Sequence, residues 1–227
     1  MVEIKFFGHS AFRLTGEKSV VLDPGIVKGQ ILVPQEEKAD VICITHRHKD
    51  HFGNAAEMAK EHKAHIVGNK QTIAVAYKKG VPAELLRHLQ DGKTLVLDGI
   101  RITGYRLKHG FVFMRFIVDV MGFVINMEGA TFAHLGDTVW CDNLRKIKTD
   151  VLFIPIGGIV TMNIEKAVEV VKIINPNMAV PIHAETSISS TDVRLFEQLM
   201  KKKVPGIDVE AMKIGETIDL RGNIRKK

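Results

Sequence analysis

The stretch that decides the fold lies at residues 46–51 and reads His46-Arg47-His48-Lys49-Asp50-His51. It places four side chains that can bind a metal ion within six residues, directly after the apolar run at residues 40–45. That run predicts a strand, and residues 54–62 have the apolar spacing of a helix. Loops at the carboxyl ends of strands are where α/β proteins place their sites, and alternate residues of an extended loop point the same way. We therefore expect His46 and His48 to bind one ion, and Asp50 and His51 to reach a second.

Three more metal-competent residues follow predicted strands elsewhere in the chain. His109 follows the predicted strand 101–107, Asp137 lies just past the one at 131–134, and His183 follows the one at 178–182. A single histidine at a strand end is usually a hydrogen-bonded structural residue. The position that these three residues share makes them joint candidates for the same metal site. Imidazole and carboxylate ligands suit zinc, manganese or iron(II).

A second informative segment lies upstream of the motif at 46–51. It is the loop around Asp23 in Val20-Val21-Leu22-Asp23-Pro24-Gly25. Together the two resemble the metallo-β-lactamase superfamily. Within it the chain resembles the UPF0173-type metal-dependent hydrolases, relatives of the ascorbate-phosphate lactonase. The segments that carry this closer resemblance are Phe7-Gly8-His9-Ser10-Ala11, Ala133-His134-Leu135-Gly136-Asp137-Thr138, Pro155-Ile156-Gly157-Gly158, Thr161-Met162 and Pro181-Ile182-His183.

The resemblance implies a four-layer αββα sandwich and a site for one or two divalent ions, with zinc or manganese expected. Seven side chains would bind them, as two groups of three and one bridging carboxylate. The first group is His46, His48 and His109, the second is Asp50, His51 and His183, and the bridge is Asp137. Asp23 would orient a ligand imidazole through a hydrogen bond. Asp50 and Asp137 are also the expected proton acceptors during catalysis.

Two other histidines are candidates for contacts with the substrate or with a metal ligand. His9 lies in a Gly-His-Ser turn, and His134 directly precedes Leu135-Gly136-Asp137. A hydrogen-bonded structural histidine is the alternative for each, and the sequence leaves both choices open. Gly110 after His109 is a departure from relatives, which often carry small hydroxyl residues there. Arg47 and Lys49 also fill positions that are often smaller or neutral.

The remaining segments predict strands and helices along the whole length. Residues 2–7, 11–14, 19–22 and 64–67 are strand candidates, and 71–79 and 82–89 are helix candidates. Closely spaced strands at 94–97, 101–107, 112–118, 123–127 and 131–134 indicate an antiparallel meander. A βαβ pattern follows at 151–156, 164–174 and 178–182, with Asn163 as the N-cap, and then a helix at 191–202 and a strand at 217–220.

The composition is that of a globular protein, with 227 residues of which 45% are hydrophobic and 26% charged. We expect one domain spanning residues 1–227. Cys43 and Cys141 are too far apart in sequence for a CxxC metal site, and two cysteines make no disulfide framework. The N-terminus has no signal-peptide pattern, and no apolar window approaches the ~18 residues of a membrane span. These observations predict a cytoplasmic protein that does not interact with membranes.

The ligand set predicts a metal-dependent hydrolase in which a metal-activated water attacks a small ester, lactone or phosphoester. The net charge of +6, with Arg47 and Lys49 inside the motif, is compatible with an anionic small substrate. The alternative is a metal-dependent nuclease acting on RNA. It is disfavoured because aromatic residues make up only 6% and do not alternate with basic ones. A non-catalytic metal protein, a redox di-iron protein and a homo-oligomer are left open, although di-iron members carry a carboxylate where this chain has His48.

Overall fold

The computed structural model describes residues 1–110, 119–184 and 191–220. The strand predicted at 112–118 lies outside the described residues. In chain order the elements are β1 Glu3–Gly8, β2 Ala11–Thr15, β3 Ser19–Leu22, β4 Ile26–Val27, β5 Gln30–Ile31, β6 Val41–Ile44, α1 Lys49–Phe52, α2 Ala55–His62, β7 His65–Gly68, α3 Lys70–Lys78, β8 Leu86–His88, β9 Thr94–Leu97, β10 Ile100–Lys108, β11 Asp119–Met127, β12 Ala130–His134, β13 Val151–Pro155, α4 Ile164–Ile174, β14 Met178–Ile182, α5 Val193–Lys203, β15 Asp208–Val209 and β16 Thr217–Asp219. Short 3₁₀ turns occur at Ala83–Leu85 and Asp142–Lys146.

Two seven-stranded sheets carry the fold. The first has the order β16-β1-β2-β3-β6-β7-β8, and the second has the order β15-β14-β13-β12-β11-β10-β9. The pairs β3–β6, β6–β7, β12–β13 and β13–β14 are parallel, so these strands end at a common edge of each sheet. The strands β9 to β12 form the predicted antiparallel meander.

Successive side chains of the central strands point to opposite faces of each sheet, and this alternation produces the layers of the fold. In β13, Phe153 packs into the core between the sheets, whereas its neighbours Leu152 and Ile154 pack against the side of α4 and α5. In β6, Cys43 faces the same central core and Ile42 packs on the side of α1 to α3. Strands buried on both faces need apolar residues at every position, which is why these runs are continuous. The predicted αββα sandwich is confirmed.

Local signals in the sequence set several element boundaries. Asn163 caps α4, because its side chain accepts a hydrogen bond of 2.9 Å from the amide of Lys166. The hairpin between β9 and β10 turns at Asp98 and Gly99, both with positive φ, as two-residue hairpins favour. Glu128 and Gly129 do the same between β11 and β12.

The predicted helix at 82–89 is wrong. The chain makes a single 3₁₀ turn at Ala83–Leu85, and β8 then pairs in parallel with β7, with Leu86 opposite Ile66. The spacing of apolar residues at 82–89 fits a short helix as well as it fits the observed turn and strand. As a strand, β8 pairs with the backbone groups at the edge of β7, which a helix at this position would leave unpaired. The prediction failed because this pairing is a long-range contact.

Both cysteines are free and buried. Among the described residues, no helix is both long enough and apolar enough to cross a bilayer.

Candidate metal centre

The candidate centre forms where loops from the two sheets meet. The first sheet contributes His9 from the β1–β2 turn, Asp23 after β3 and the 46–51 motif after β6. The second sheet contributes the residues that follow β10, β12 and β14, which are His109, Asp137 and His183. Two backbone hydrogen bonds join the sheets here: His183 donates to the carbonyl of His9 at 3.0 Å, and Met121 donates to that of Thr45 at 2.8 Å.

The first ligand group comprises His46, His48 and His109, and its ligand atoms all lie within 4.8 Å of one another. The Nε2 atom of His46 is 2.9 Å from Nδ1 of His48. Burial, together with the neighbouring His51, lowers the pKa of His46 well below its ordinary value, so this imidazole is neutral. The neutral form is the one that binds metal. His109 donates from Nδ1 to the carbonyl of Gly110 at 2.7 Å, which directs its Nε2 into the centre.

Gly110 follows His109 for a steric reason. A Cβ at this position would lie 2.2 Å from the carbonyl oxygen of Val160, and the Gly110 amide donates to that same oxygen at 2.8 Å. The loop after β10 is therefore held against Val160 by backbone alone. This contact explains why residue 110 is a glycine.

The second ligand group comprises Asp50, His51 and His183, whose ligand atoms also lie within 4.8 Å of one another. The Nε2 atom of His51 is 3.9 Å from Asp50 Oδ2. Burial raises the pKa of Asp50, but the neighbouring imidazole of His9 and the charge on His51 outweigh it and lower the pKa overall. Asp50 is therefore ionised at neutral pH.

Asp137 lies between the two groups and is almost fully buried. Its Oδ1 is 3.1 Å from Nε2 of His51, and its Oδ2 is 3.1 Å from Nε2 of His183 and 3.6 Å from Nε2 of His109. Burial raises the pKa of this carboxyl, but the charges of His51 and His183 outweigh burial and hold the pKa well below its usual range. A buried carboxylate among imidazoles requires positive charge nearby, and this position bridges both groups.

Asp23 holds the 46–51 motif through hydrogen bonds to Thr45 and His51. It is fully buried and accepts hydrogen bonds of 2.7 Å from the Thr45 amide, from the Thr45 hydroxyl and from Nδ1 of His51. The last bond leaves Nε2 of His51 pointing at Asp137. Burial lowers the pKa of His51, but the carboxylates of Asp137 and Asp23 outweigh it, and the pKa rises well above the ordinary value. The structure thus gives Asp23 the contact expected of a residue that orients a ligand imidazole.

His134 faces away from the two ligand groups. Its Nε2 donates to the carbonyl of Ser10 at 2.9 Å, and its Nδ1 accepts from the amide of Gly136 at 3.2 Å. Both ring nitrogens are therefore in use, and Nδ1 lies 3.9 Å from Asp23 Oδ2. His134 connects the β1–β2 turn to the loop that carries Asp137.

Three residues of this centre have an unfavourable backbone conformation. His9, Asp23 and His183 have φ values of 55°, 43° and 58°, in the left-handed region that L-residues rarely adopt. Each such residue costs of order 1 kcal/mol or more, and strain of this kind accumulates at functional sites. The turns that contain these residues aim all three side chains at the centre.

Unpartnered polar atoms test whether the residues fit a metal. Four atoms of the ligand groups and the bridge are buried without a hydrogen-bond partner among the described residues, namely Nε2 of His51, His109 and His183 and Oδ1 of Asp137. Buried polar atoms are rarely left in this state. Others, such as Oγ of Ser10 and Oγ1 of Thr72, lie outside the ligand groups, whereas these four face one another across the centre. Two ligand atoms bound to one ion at about 2.1 Å lie roughly 3.0–3.4 Å apart. The spacings of 2.9 to 3.6 Å between His46 and His48 and around Asp137 fall near this range, whereas Nε2 of His51 and Oδ2 of Asp50 are 3.9 Å apart. The residues fit divalent ions.

A cleft of about 360 Å³ opens onto the centre. His48, Asp50, His109, Asp137 and His183 line it, together with His9. Other lining residues could not be predicted from the sequence, among them Lys28 and the apolar side chains of Ile26, Val27, Ile159 and Val160. Lys49 lines the cleft, whereas exposed Arg47 is not among the described lining residues.

Comparisons with known proteins identify the family to which this chain belongs. Residues 3–183 match the family model described as a beta-lactamase superfamily domain. A UPF0173 metal-dependent hydrolase from Methanosarcina barkeri is 32% identical, covering 96% of this chain and 99% of the relative. The chain belongs to the UPF0173 metal-dependent hydrolases of the metallo-β-lactamase superfamily. A second UPF0173 hydrolase, from Thermococcus onnurineus, is 31% identical over 97% of this chain and 100% of its own length.

The UPF0173 hydrolase also resembles a solved structure over nearly its full length. Igni18, described as a metallo hydrolase from Ignicoccus hospitalis, superposes with a TM-score of 0.82 and is 27% identical. The match covers 96% of this chain and 97% of Igni18. The chain is therefore a metal-dependent hydrolase on the metallo-β-lactamase fold.

Removing the metal is expected to destabilise this UPF0173 hydrolase, because the ligands come from both sheets. A ligand present at 100 times its dissociation constant adds about 2.7 kcal/mol to folding, which for a chain of this size corresponds to roughly 5–10 °C in Tm. Calorimetry should show a loss of this order after chelation and its recovery when Zn²⁺ is returned. Equal Tm values with and without metal would mean that no ion connects the sheets.

Proposed function

We propose that this UPF0173 hydrolase binds two divalent ions, zinc or manganese, and hydrolyses a small ester, lactone or phosphoester. The first ligand group would hold one ion, the second group the other, and Asp137 would bridge them. The observation that carries the proposal is the position of Asp137, which lies within 3.6 Å of His109 on one side and 3.1 Å of His51 and His183 on the other.

The chemistry divides between the ions and the protein. Bound divalent ions supply a water molecule with a lowered pKa and a Lewis acid that polarises the substrate. Of the two carboxylates, Asp50 is the better placed to exchange a proton with the substrate or solvent, because its side chain is 41% exposed, whereas Asp137 is 2% exposed. We therefore assign proton transfer to Asp50 and mainly charge balance to Asp137.

The cleft supports a small substrate. Its volume of about 360 Å³ lies at the lower end of the range for small-molecule pockets. Lys28 and Lys49 would attract an anionic group, and the apolar walls formed by residues such as Ile26 and Val160 would contact its carbon skeleton. The predicted relationship to the ascorbate-phosphate lactonase is compatible with a lactone carrying a phosphate.

A substrate screen tests this proposal. The metal-reconstituted protein would be offered lactones, carboxylic esters, phosphodiesters and a structured RNA, with His48→Ala as the inactive control. We expect metal-dependent turnover of at least one small ester, with neutral analogues turned over less well than anionic ones. Cleavage of the RNA at physiological salt, with every small ester left intact, would replace this proposal by the nuclease alternative.

The Asp137→Ala variant tests the bridge separately from turnover. Removing the shared carboxylate takes one protein ligand from each ion and removes the negative charge that lies between His51, His109 and His183. Elemental analysis should therefore show at least one ion fewer per chain than in the wild type. Full metal occupancy in Asp137→Ala would remove Asp137 from the ligand set.

A further inference from the structure

We propose that His9 is a fourth protein ligand of the second ion, alongside Asp50, His51 and His183. The proposal rests on the two-ion function given above and extends the set of residues that would bind the metal. It changes the role of His9 from a contact for substrate to a part of the metal centre. Three features of the structure support it: the backbone turn at His9, the position of the ring, and the spacing between ligand atoms.

The backbone at His9 is shaped to present the side chain. Gly8 has a φ of 108° and His9 a φ of 55°, and the register of β1 and β2 shifts between Phe6 and Gly8. A bulge of this kind re-aims a side chain next to a site. The His9 carbonyl accepts the hydrogen bond from the amide of His183, so the backbones of these two residues are joined directly.

The ring of His9 lies among the second ligand group and is 5% exposed. Its centroid is 4.1 Å from that of His183 and 5.4 Å from that of His51. The ligand atoms of His9, Asp50, His51 and His183 all lie within 4.8 Å of one another. Four ligand atoms from three separate segments of the chain thus surround one position.

The spacing between His9 and Asp50 distinguishes a shared ion from a simple ion pair. Nε2 of His9 is 3.5 Å from Oδ2 of Asp50. A charge-assisted hydrogen bond between these atoms would be about 2.7–2.9 Å long, whereas two ligands of one ion lie roughly 3.0–3.4 Å apart. The observed separation is closer to the second case. The second ion would then carry one more protein side chain than the first, which leaves the first ion with more room for substrate.

The test measures metal binding to the full-length protein. His9→Gly and His9→Asn are both suitable because glycine and asparagine tolerate positive φ better than other residues. His88→Asn is the matched control, because it makes the same substitution at an exposed histidine. Each protein would be stripped of metal and titrated with Co²⁺ against a chelator to obtain its stoichiometry and dissociation constants. Proton NMR of the cobalt-loaded protein would count the shifted imidazole signals.

We expect the dissociation constant of the second ion to rise at least 10–100-fold in both His9 variants. Even the loss of a residue that only hydrogen-bonds a metal ligand lowers metal affinity by that factor. The cobalt-loaded variants should also lose one set of shifted imidazole signals, and added imidazole should restore affinity in His9→Gly. An unchanged signal count overturns the proposal, because a histidine that only hydrogen-bonds Asp50 contributes no such signal.

The wild-type titration separates this proposal from the two-ion function. A wild type that binds one ion contradicts the two-ion function. If the affinity of that ion falls and one imidazole set disappears in His9→Gly, His9 is still a ligand. If neither changes, both proposals are contradicted.

Discussion

Replacing His48 or His183 with alanine is expected to lower the hydrolysis rate at least about 10³-fold, which corresponds to roughly 4 kcal/mol of transition-state stabilisation. The two residues belong to different ligand groups, so each variant disables one of the two proposed ions. His48 lies in a loop and is only partly buried, so its truncation leaves little cavity. Circular dichroism should therefore show a folded His48→Ala protein.

Two surface histidines provide controls for this prediction. His88 is exposed on β8, and His62, at the end of α2, donates from Nε2 to the carbonyl of Gln35 at 2.8 Å, away from the metal centre. His62→Ala and His88→Ala should retain turnover within about twofold of the wild type, because neither residue lines the cleft or contacts a ligand. Wild-type turnover in His48→Ala would exclude a mechanism that depends on the first ligand group.

The second large effect is expected for Asp23→Ala. This carboxylate satisfies three buried donors, two from Thr45 and one from His51. Each buried donor left without a partner costs about 1–3 kcal/mol, so the free energy of unfolding should fall by about 3 kcal/mol or more. Metal affinity should fall 10–100-fold as well, because His51 loses the bond that orients its ring. Urea unfolding and chelator competition measure the two effects.

Asp150 offers a matched control for Asp23. Its Oδ2 accepts from the amide and the hydroxyl of Thr131 at 2.8 Å and 2.6 Å, as Asp23 does from Thr45, but it orients no ligand. Asp150→Ala should lower the free energy of unfolding and leave metal affinity unchanged. If both variants weaken metal binding equally, the effect of Asp23 comes from general destabilisation and not from the hydrogen bond to His51.

The sequence predicted the parts of the site that depend on strand ends. The residues after β6, β10, β12 and β14 meet because strands that run in the same direction end at a common edge. The apolar runs in the sequence were enough to predict where each of these strands ends. Lys28 and Val160 were missed, since their loops reach the cleft through contacts that no local pattern encodes. The role of Asp23 came only from the family resemblance; its three hydrogen bonds depend on the pairing of β3 with β6.

Positions without a side chain set how closely the loops of this centre can approach. A Cβ on Gly25 would lie 1.8 Å from the carbonyl oxygen of Asp50, and one on Gly53 would lie 1.9 Å from that of Pro24. The loop that carries Asp23 and the helix that carries His51 therefore touch backbone to backbone. A mutational scan of this enzyme should show intolerance at these glycines comparable to that at the ligands. Such a map would reveal inactivating changes that alter no functional group, and a search restricted to chemically reactive residues would overlook them.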